Sequence, residues 1–357
     1  MHRDELVSAL ATAVYGDGPV EPVVVRVSAR SEEFGFGGTA RVRNLVVEFS
    51  TAVGAHRVLL TVATPAASAD VPLLVGLNFR GNHTIASDPN IATPSDECGP
   101  LHYDQFTDDP QPRGSYASRW QVPTLINRGY GLATTCYLQL GPDSPELRTV
   151  GLFPILQGSA RESWGGLGMW AWLLQRLLDV LIQESIGSKH IAFGHSRLGK
   201  AALWAALRDE RFSGVIANNS GCMGASMSTT PGAETPSLLA KVRPYWFCDE
   251  FPRRVAEGLA WPAADQVLAG IAPRHVYVAS ARNDAPADPT GERAAVDLAR
   301  EAVPAGSFGY HVRDGAHDVT AEDWDRFLTF FDHTLRGAPA DRERAGSGQS
   351  SGGNSMH

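Results

Sequence analysis

Short apolar runs punctuate the chain at 72–79 (PLLVGLNF), 131–136 (GLATTC), 190–194 (HIAFG), 214–218 (GVIAN), 275–281 (HVYVASA) and 308–313 (FGYHVR). Each is rich in Val, Leu, Ile or Tyr and of a length that predicts a buried strand. Between several of them the periodicity changes. Trp170, Leu173, Leu174, Leu177, Leu178 and Leu181 recur at the three- and four-residue steps of one helix face. Alternating strands and helices predict an α/β fold, a three-layer sandwich around a mostly parallel central sheet. Residues 20–63 differ. VVVRV, LVVEFS and RVLLTVA follow one another without an intervening helix, which predicts leading antiparallel strands. The expected organisation is therefore an N-terminal extension over 1–64 whose strands join the same sheet, a catalytic domain over 65–337, and a disordered tail over 338–357, which ends in AGSGQSSGGNSMH.

Chemistry concentrates at residues 191–203, IAFGHSRLGKAAL, where an apolar strand meets a helix at Gly194-His195-Ser196-Arg197-Leu198-Gly199. A serine at such a strand-turn-helix corner is pushed above the sheet edge, with the N–H groups of the following helix aimed at the same point. The common pattern is G-x-S-x-G. Here Leu198 occupies the place of the second glycine and Gly199 comes one position late.

Chain order supplies partners for this serine. In α/β hydrolases the nucleophile is followed by an acid after a late strand and a histidine after the last one. ARNDAPADP follows 275–281 and DGAHDVTAEDW follows 308–313, which puts Asp284 and His317 in those places. Asp288, followed by Pro289 and a helical run, reads as an N-cap instead. Thr320, with Asp323 three positions on, reads as a second cap. The expected triad is Ser196, His317 and Asp284, with Asp288 as the competing acid. Arg197, next to the nucleophile, and Lys200, one turn along the helix, add two cations near the corner. Phe79-Arg80-Gly81-Asn82 occupies the loop that usually donates the second oxyanion N–H, and Gly81 lets the backbone approach closely.

LNFRGNHT (77–84), GHSRLGKAALWAA (194–206), NNSGC (218–222), YWFC (245–248), IAPRHVYVAS (271–280) and HDVTAEDWDRFLTFF (317–331) together resemble bacterial glucuronoyl esterases of carbohydrate esterase family 15. The likeness spans about 70–336. Its nucleophile motif, G-x-S-R-x-G-K, accounts for Leu198 and the shifted glycine. The resemblance implies an α/β-hydrolase fold, Ser196 as nucleophile, and Arg197 as an oxyanion residue through its N–H and its guanidinium. It implies substrate binding by Lys200, Trp246 and Glu234. Arg80, in the loop after 72–79, is a further substrate-binding candidate. The chain also departs from the pattern. Many members place the acid where this chain has Asn219, so the triad survives through Asp284. An aromatic near that acid is replaced by Pro286, and a histidine after Asp265-Gln266 by Val267. The resemblance further implies that Cys222 and Cys248 lie close enough to pair if the environment is oxidising.

The implied activity is a serine esterase cleaving a glucuronoyl-type carbohydrate ester through an acyl-enzyme. The alternatives are a deacetylase of acylated sugars and an inactive carbohydrate-binding module on the same fold. The histidines show no metal-ligand spacing, so neither metal nor cofactor is expected. A net charge of −8 without a basic cluster argues against nucleic acid. Arg176 and Asp179 inside the apolar helix argue against a membrane span. The partner expected is a small-molecule or polysaccharide-linked ester, and the oligomeric state stays open. Residues 1–20 lack a continuous apolar segment, so a cytoplasmic location is expected, with secretion as the alternative if a leader was removed.

Overall fold

The computed structural model describes residues 1–19, 22–94, 98–99, 101–102, 111–157, 164–303 and 305–336, so the tail expected over 338–357 lies outside the described residues. Among the described residues nine strands form one sheet: β1 (Val24–Gly35), β2 (Ala40–Ser50), β3 (Ala55–Pro65), β4 (Pro72–Asn78), β5 (Gly131–Cys136), β6 (Lys189–His195), β7 (Phe212–Asn218), β8 (His275–Ala281) and β9 (Phe308–Arg313). Their spatial order is β1-β2-β3-β5-β4-β6-β7-β8-β9. From β5 to β9 all neighbours are parallel, while β1, β2, β3 and β5 pair antiparallel.

Side-chain alternation builds the layers. Leu73, Val75 and Leu77 of β4, Ala192 of β6, Val215 of β7 and Val278 of β8 point into one core with the helices Gly166–Gln183 and Arg197–Arg208. Leu74, Ile191, Phe193, Ile216 and Tyr277 point into a second core with Leu125 and with Trp324, Phe327 and Phe331 of the helix Ala321–Arg336. A strand buried on both faces must be apolar at consecutive positions, which is why these runs read as continuous. The stripe from Trp170 to Leu181 lies within Gly166–Gln183, and every residue of that stripe is buried. No helix among the described residues is long and apolar enough to cross a membrane.

β1 runs further than its apolar pattern suggests. Residues 29–34 are exposed, so no core face marks them, and pairing with β2 alone extends the strand to Gly35. Cys222 and Cys248 are separate buried thiols. The pairing implied by the resemblance is not formed; Cys248 Sγ lies 3.7 Å from the carbonyl of Thr12, and burial pushes the Cys222 thiol up to about 11.

Candidate active site

The carboxyl ends of β4, β6, β7, β8 and β9 converge on one edge of the sheet, the usual place for a site in an open α/β fold. Ser196 stands between β6 and the helix Arg197–Arg208 at φ 56°, ψ −131°. A left-handed φ at a non-glycine residue is costly, and here neighbours fix it: Ser196 N–H donates to the carbonyl of Asn218 at 2.9 Å. The turn also explains the displaced glycine. A Cβ on Gly194 would lie 2.0 Å from the carbonyl oxygen of Leu198, and one on Gly199 would lie 3.0 Å from Cβ of Ser220. The position between needs no such clearance, and the Leu198 side chain is buried in the core.

His317 and Asp284 meet as the order of the strands predicts. His317 Nδ1 lies 2.5 Å from Asp284 Oδ2. Asp284 is 4 % exposed, whereas the histidine side chain is 42 % exposed and reaches the open side of the site. Burial pushes the Asp284 carboxyl up, but hydrogen bonds from His317 and Asn219 outweigh it and hold the group below the ordinary carboxylate range. The competing acid is engaged elsewhere. Asp288 caps the helix Pro289–Glu301 through Gly291 N–H at 2.9 Å and accepts from Ser226 Oγ at 2.8 Å.

Asn219, where the resemblance leads one to expect an acid, donates from Nδ2 to Asp284 Oδ2 at 2.6 Å. His195, beside the nucleophile, packs its ring 4.5 Å from that of His317. Its Nδ1 lies 2.5 Å from Asn218 Oδ1, and its Nε2 accepts from Arg119 Nη2 at 3.1 Å. Burial, together with the charges of His317 and Arg119, drives its pKa well below the ordinary value, so His195 is neutral.

Gly81 adopts φ 100°, a conformation that favours glycine, but its N–H donates to Asn78 Oδ1 at 2.8 Å. That donor therefore serves the loop itself and not an oxyanion. Arg80 stacks 5.8 Å from the Tyr116 ring and lines a cleft with Phe79, Arg119, His195 and Val319.

A model of fungal glucuronyl esterases matches residues 123–303. Carbohydrate esterase MZ0003, from an unknown prokaryotic organism, is 32 % identical over 366 residues, an alignment spanning 94 % of this chain and 84 % of that protein. The chain belongs to the glucuronoyl esterase family. Among solved structures it is similar to the glucuronoyl esterase of Solibacter usitatus, with TM-score 0.80, 32 % identity, and 92 % of this chain and 90 % of that one covered. It is likewise similar to a promiscuous family 15 esterase from a marine bacterial metagenome, with TM-score 0.78, 31 % identity, and 93 % and 90 % covered. The protein is thus a carbohydrate esterase, a carboxylic ester hydrolase of α/β-hydrolase fold.

The remaining site residues of this carbohydrate esterase fall into two charge-balanced groups. Lys200 is buried, with Nζ donating to the carbonyl of Ser220 at 2.5 Å and lying 3.5 Å from Glu234 Oε2. The Arg197 guanidinium pairs with Asp143, a carboxylate with no exposed surface. Asp143 also accepts from Tyr137 Oη at 3.1 Å and from Trp246 Nε1 at 2.7 Å. Trp246 is 4 % exposed and lies 5.2 Å from the Arg197 guanidinium, so it supports that arginine. Among the described residues no group of three His, Cys, Asp or Glu side chains could hold a metal.

Proposed function

We propose that this carbohydrate esterase hydrolyses a uronoyl ester of a carbohydrate by a Ser196-His317-Asp284 triad, through an acyl-enzyme. The observation that carries the reading is the 2.5 Å contact between His317 Nδ1 and Asp284 Oδ2. That contact fixes the tautomer that leaves Nε2 as the base. Ser196 gives its proton to His317 Nε2 as Oγ attacks the ester carbonyl. The backbone N–H of Arg197, at the start of a helix, faces the developing oxyanion. Collapse expels the alcohol, which takes the proton from the imidazolium. Water then repeats the sequence in reverse and releases the uronic acid.

A second reading is acetyl-ester cleavage by the same triad. Arg197 and Lys200 both face carboxylates, so the pocket is charge-balanced toward any neutral ester, uronoyl or acetyl. A relative at 31 % identity is described as promiscuous. Initial rates on a methyl glucuronate ester and on acetylated xylan decide between the two. Ser196→Ala and His317→Ala are each expected to lower turnover by on the order of 10⁴-fold, with loss of fluorophosphonate labelling at Ser196. Retention of turnover by Ser196→Ala would refute the triad.

A further inference from the structure

Arg313, the last residue of β9, turns its guanidinium beneath the loop that carries His317. Nη2 donates to the backbone carbonyls of Ala316 at 3.0 Å and Asp318 at 2.6 Å, the two residues that flank His317. Nη1 donates to the carbonyl of Asp314 at 3.2 Å. Nε donates to Asp323 Oδ2 at 2.7 Å, and both side chains are buried. Asp323 is itself fixed. It accepts from Thr320 N–H at 2.7 Å and Thr320 Oγ1 at 2.9 Å, and its other oxygen lies 2.8 Å from His311 Nε2.

The geometry assigns Arg313, anchored on Asp323, as the positioning residue for the catalytic histidine. A planar guanidinium joins three carbonyls and a carboxylate at once, which an ammonium on a flexible stem does not do. The His317 side chain is 42 % exposed, so its direction is set from below, by the backbone on either side of it. Around the ring stand Asp284 from the loop after β8, His195 from β6, Arg119 behind His195, and Asp318, whose carboxylate pairs with Arg119. These contact side chains; Arg313 holds the main chain from which the imidazole projects.

The inference rests on the reading of His317 as the base. Arg313→Lys keeps a cation against Asp323 and gives up the fork. A misplacement of about 1 Å costs on the order of 10²-fold, so kcat is expected to fall by about that factor with KM within about threefold. In the resting enzyme the hydrogen-bonded Nδ1 proton of His317 is expected to broaden in the NMR spectrum while circular dichroism stays native. Asp323→Asn removes the charge of the anchor and one of its two accepting oxygens while keeping its shape, and should give a smaller loss in the same direction. Native kcat and an unchanged proton resonance in either folded variant would overturn the assignment. Loss of the fold in both would also overturn it, because the pair would then serve the core and not the loop. The NMR readout needs no turnover, so failure of the triad itself is seen separately, as activity retained by Ser196→Ala.

Discussion

Asn219 Nδ2 donates at 2.6 Å to Oδ2 of Asp284, the same oxygen that meets His317 Nδ1 at 2.5 Å. Asn219 is thus a donor to the acid that faces His317. Two hydrogen bonds on one oxygen keep the carboxylate ionised and aimed. Asn219→Ala removes one of them and is expected to lower kcat about tenfold, from a charge-assisted bond worth about 1.5–3 kcal/mol. Asn219→Asp sets two carboxylates against each other, and such a pair retains one proton to higher pH. Its activity is expected to fall away on the acid side at higher pH than that of the native enzyme. A superimposable pH–rate profile would show that Asn219 does not act on Asp284.

Asp288 separates capping from catalysis. Its carboxylate accepts from Gly291 N–H, Ser226 Oγ and Thr229 N–H at 2.9, 2.8 and 3.2 Å, and none of these belongs to the triad. Asp288→Ala is expected to cost about 1–2 kcal/mol in thermal or denaturant unfolding, the scale of a lost cap, while leaving kcat within a few-fold. Asp284→Asn should do the opposite, lowering kcat by on the order of 10³–10⁴-fold with a smaller change in stability. The reverse ranking would make Asp288 the acid.

Local patterns made part of this legible. The runs 131–136, 275–281 and 308–313 coincide with β5, β8 and β9 because strands buried on both faces are apolar at most consecutive positions. Asp288-Pro289 and Thr320 with Asp323 announced two caps, since a cap and its target lie three residues apart. The exposed half of β1 was silent, having no buried face to record. Asp143 was silent for another reason: it lies 54 positions from Arg197, and only the crossing between β5 and β6 joins them. Arg313 reads as one more polar residue at the end of a strand until its three carbonyl partners are seen.

Asp143 tests how the charge balance serves release of the product. Arg197 and Lys200 each face a carboxylate, and on the proposed function this balance is expected to admit a neutral ester without also gripping the acid that hydrolysis yields. Asp143→Asn takes this buried negative charge away from the guanidinium. A cation near a bound carboxylate contributes about 1–4 kcal/mol at short range, so inhibition by free glucuronate is expected to tighten about tenfold or more. Unchanged inhibition, measured beside native KM for a neutral ester, would show that the guanidinium does not reach the acyl group.

Glu292 links the loop after β7 to the pH dependence of stability. It has no exposed surface; Oε1 accepts from Gly221 N–H at 2.9 Å and Ser220 Oγ at 3.1 Å, and Oε2 from Ser280 Oγ at 2.5 Å. Burial outweighs these bonds and raises its pKa from 4.5 to about 7. The sign follows from where the proton leaves first. Between about pH 4.5 and 7 the unfolded chain gives up this proton while the folded protein keeps it, so the contribution of Glu292 to stability falls across that window and levels off above it. Glu292→Gln keeps the shape and most hydrogen bonds and cannot ionise. Relative to the native protein, its stability is therefore expected to improve with rising pH by up to about 3 kcal/mol, most of it between about pH 4.5 and 7. Parallel urea titrations of both proteins at several pH values measure the difference. A gap that stays constant with pH would mean that the carboxyl titrates alike in the folded and unfolded chains, and that Ser220, Gly221 and Ser280 hold it ionised despite its burial.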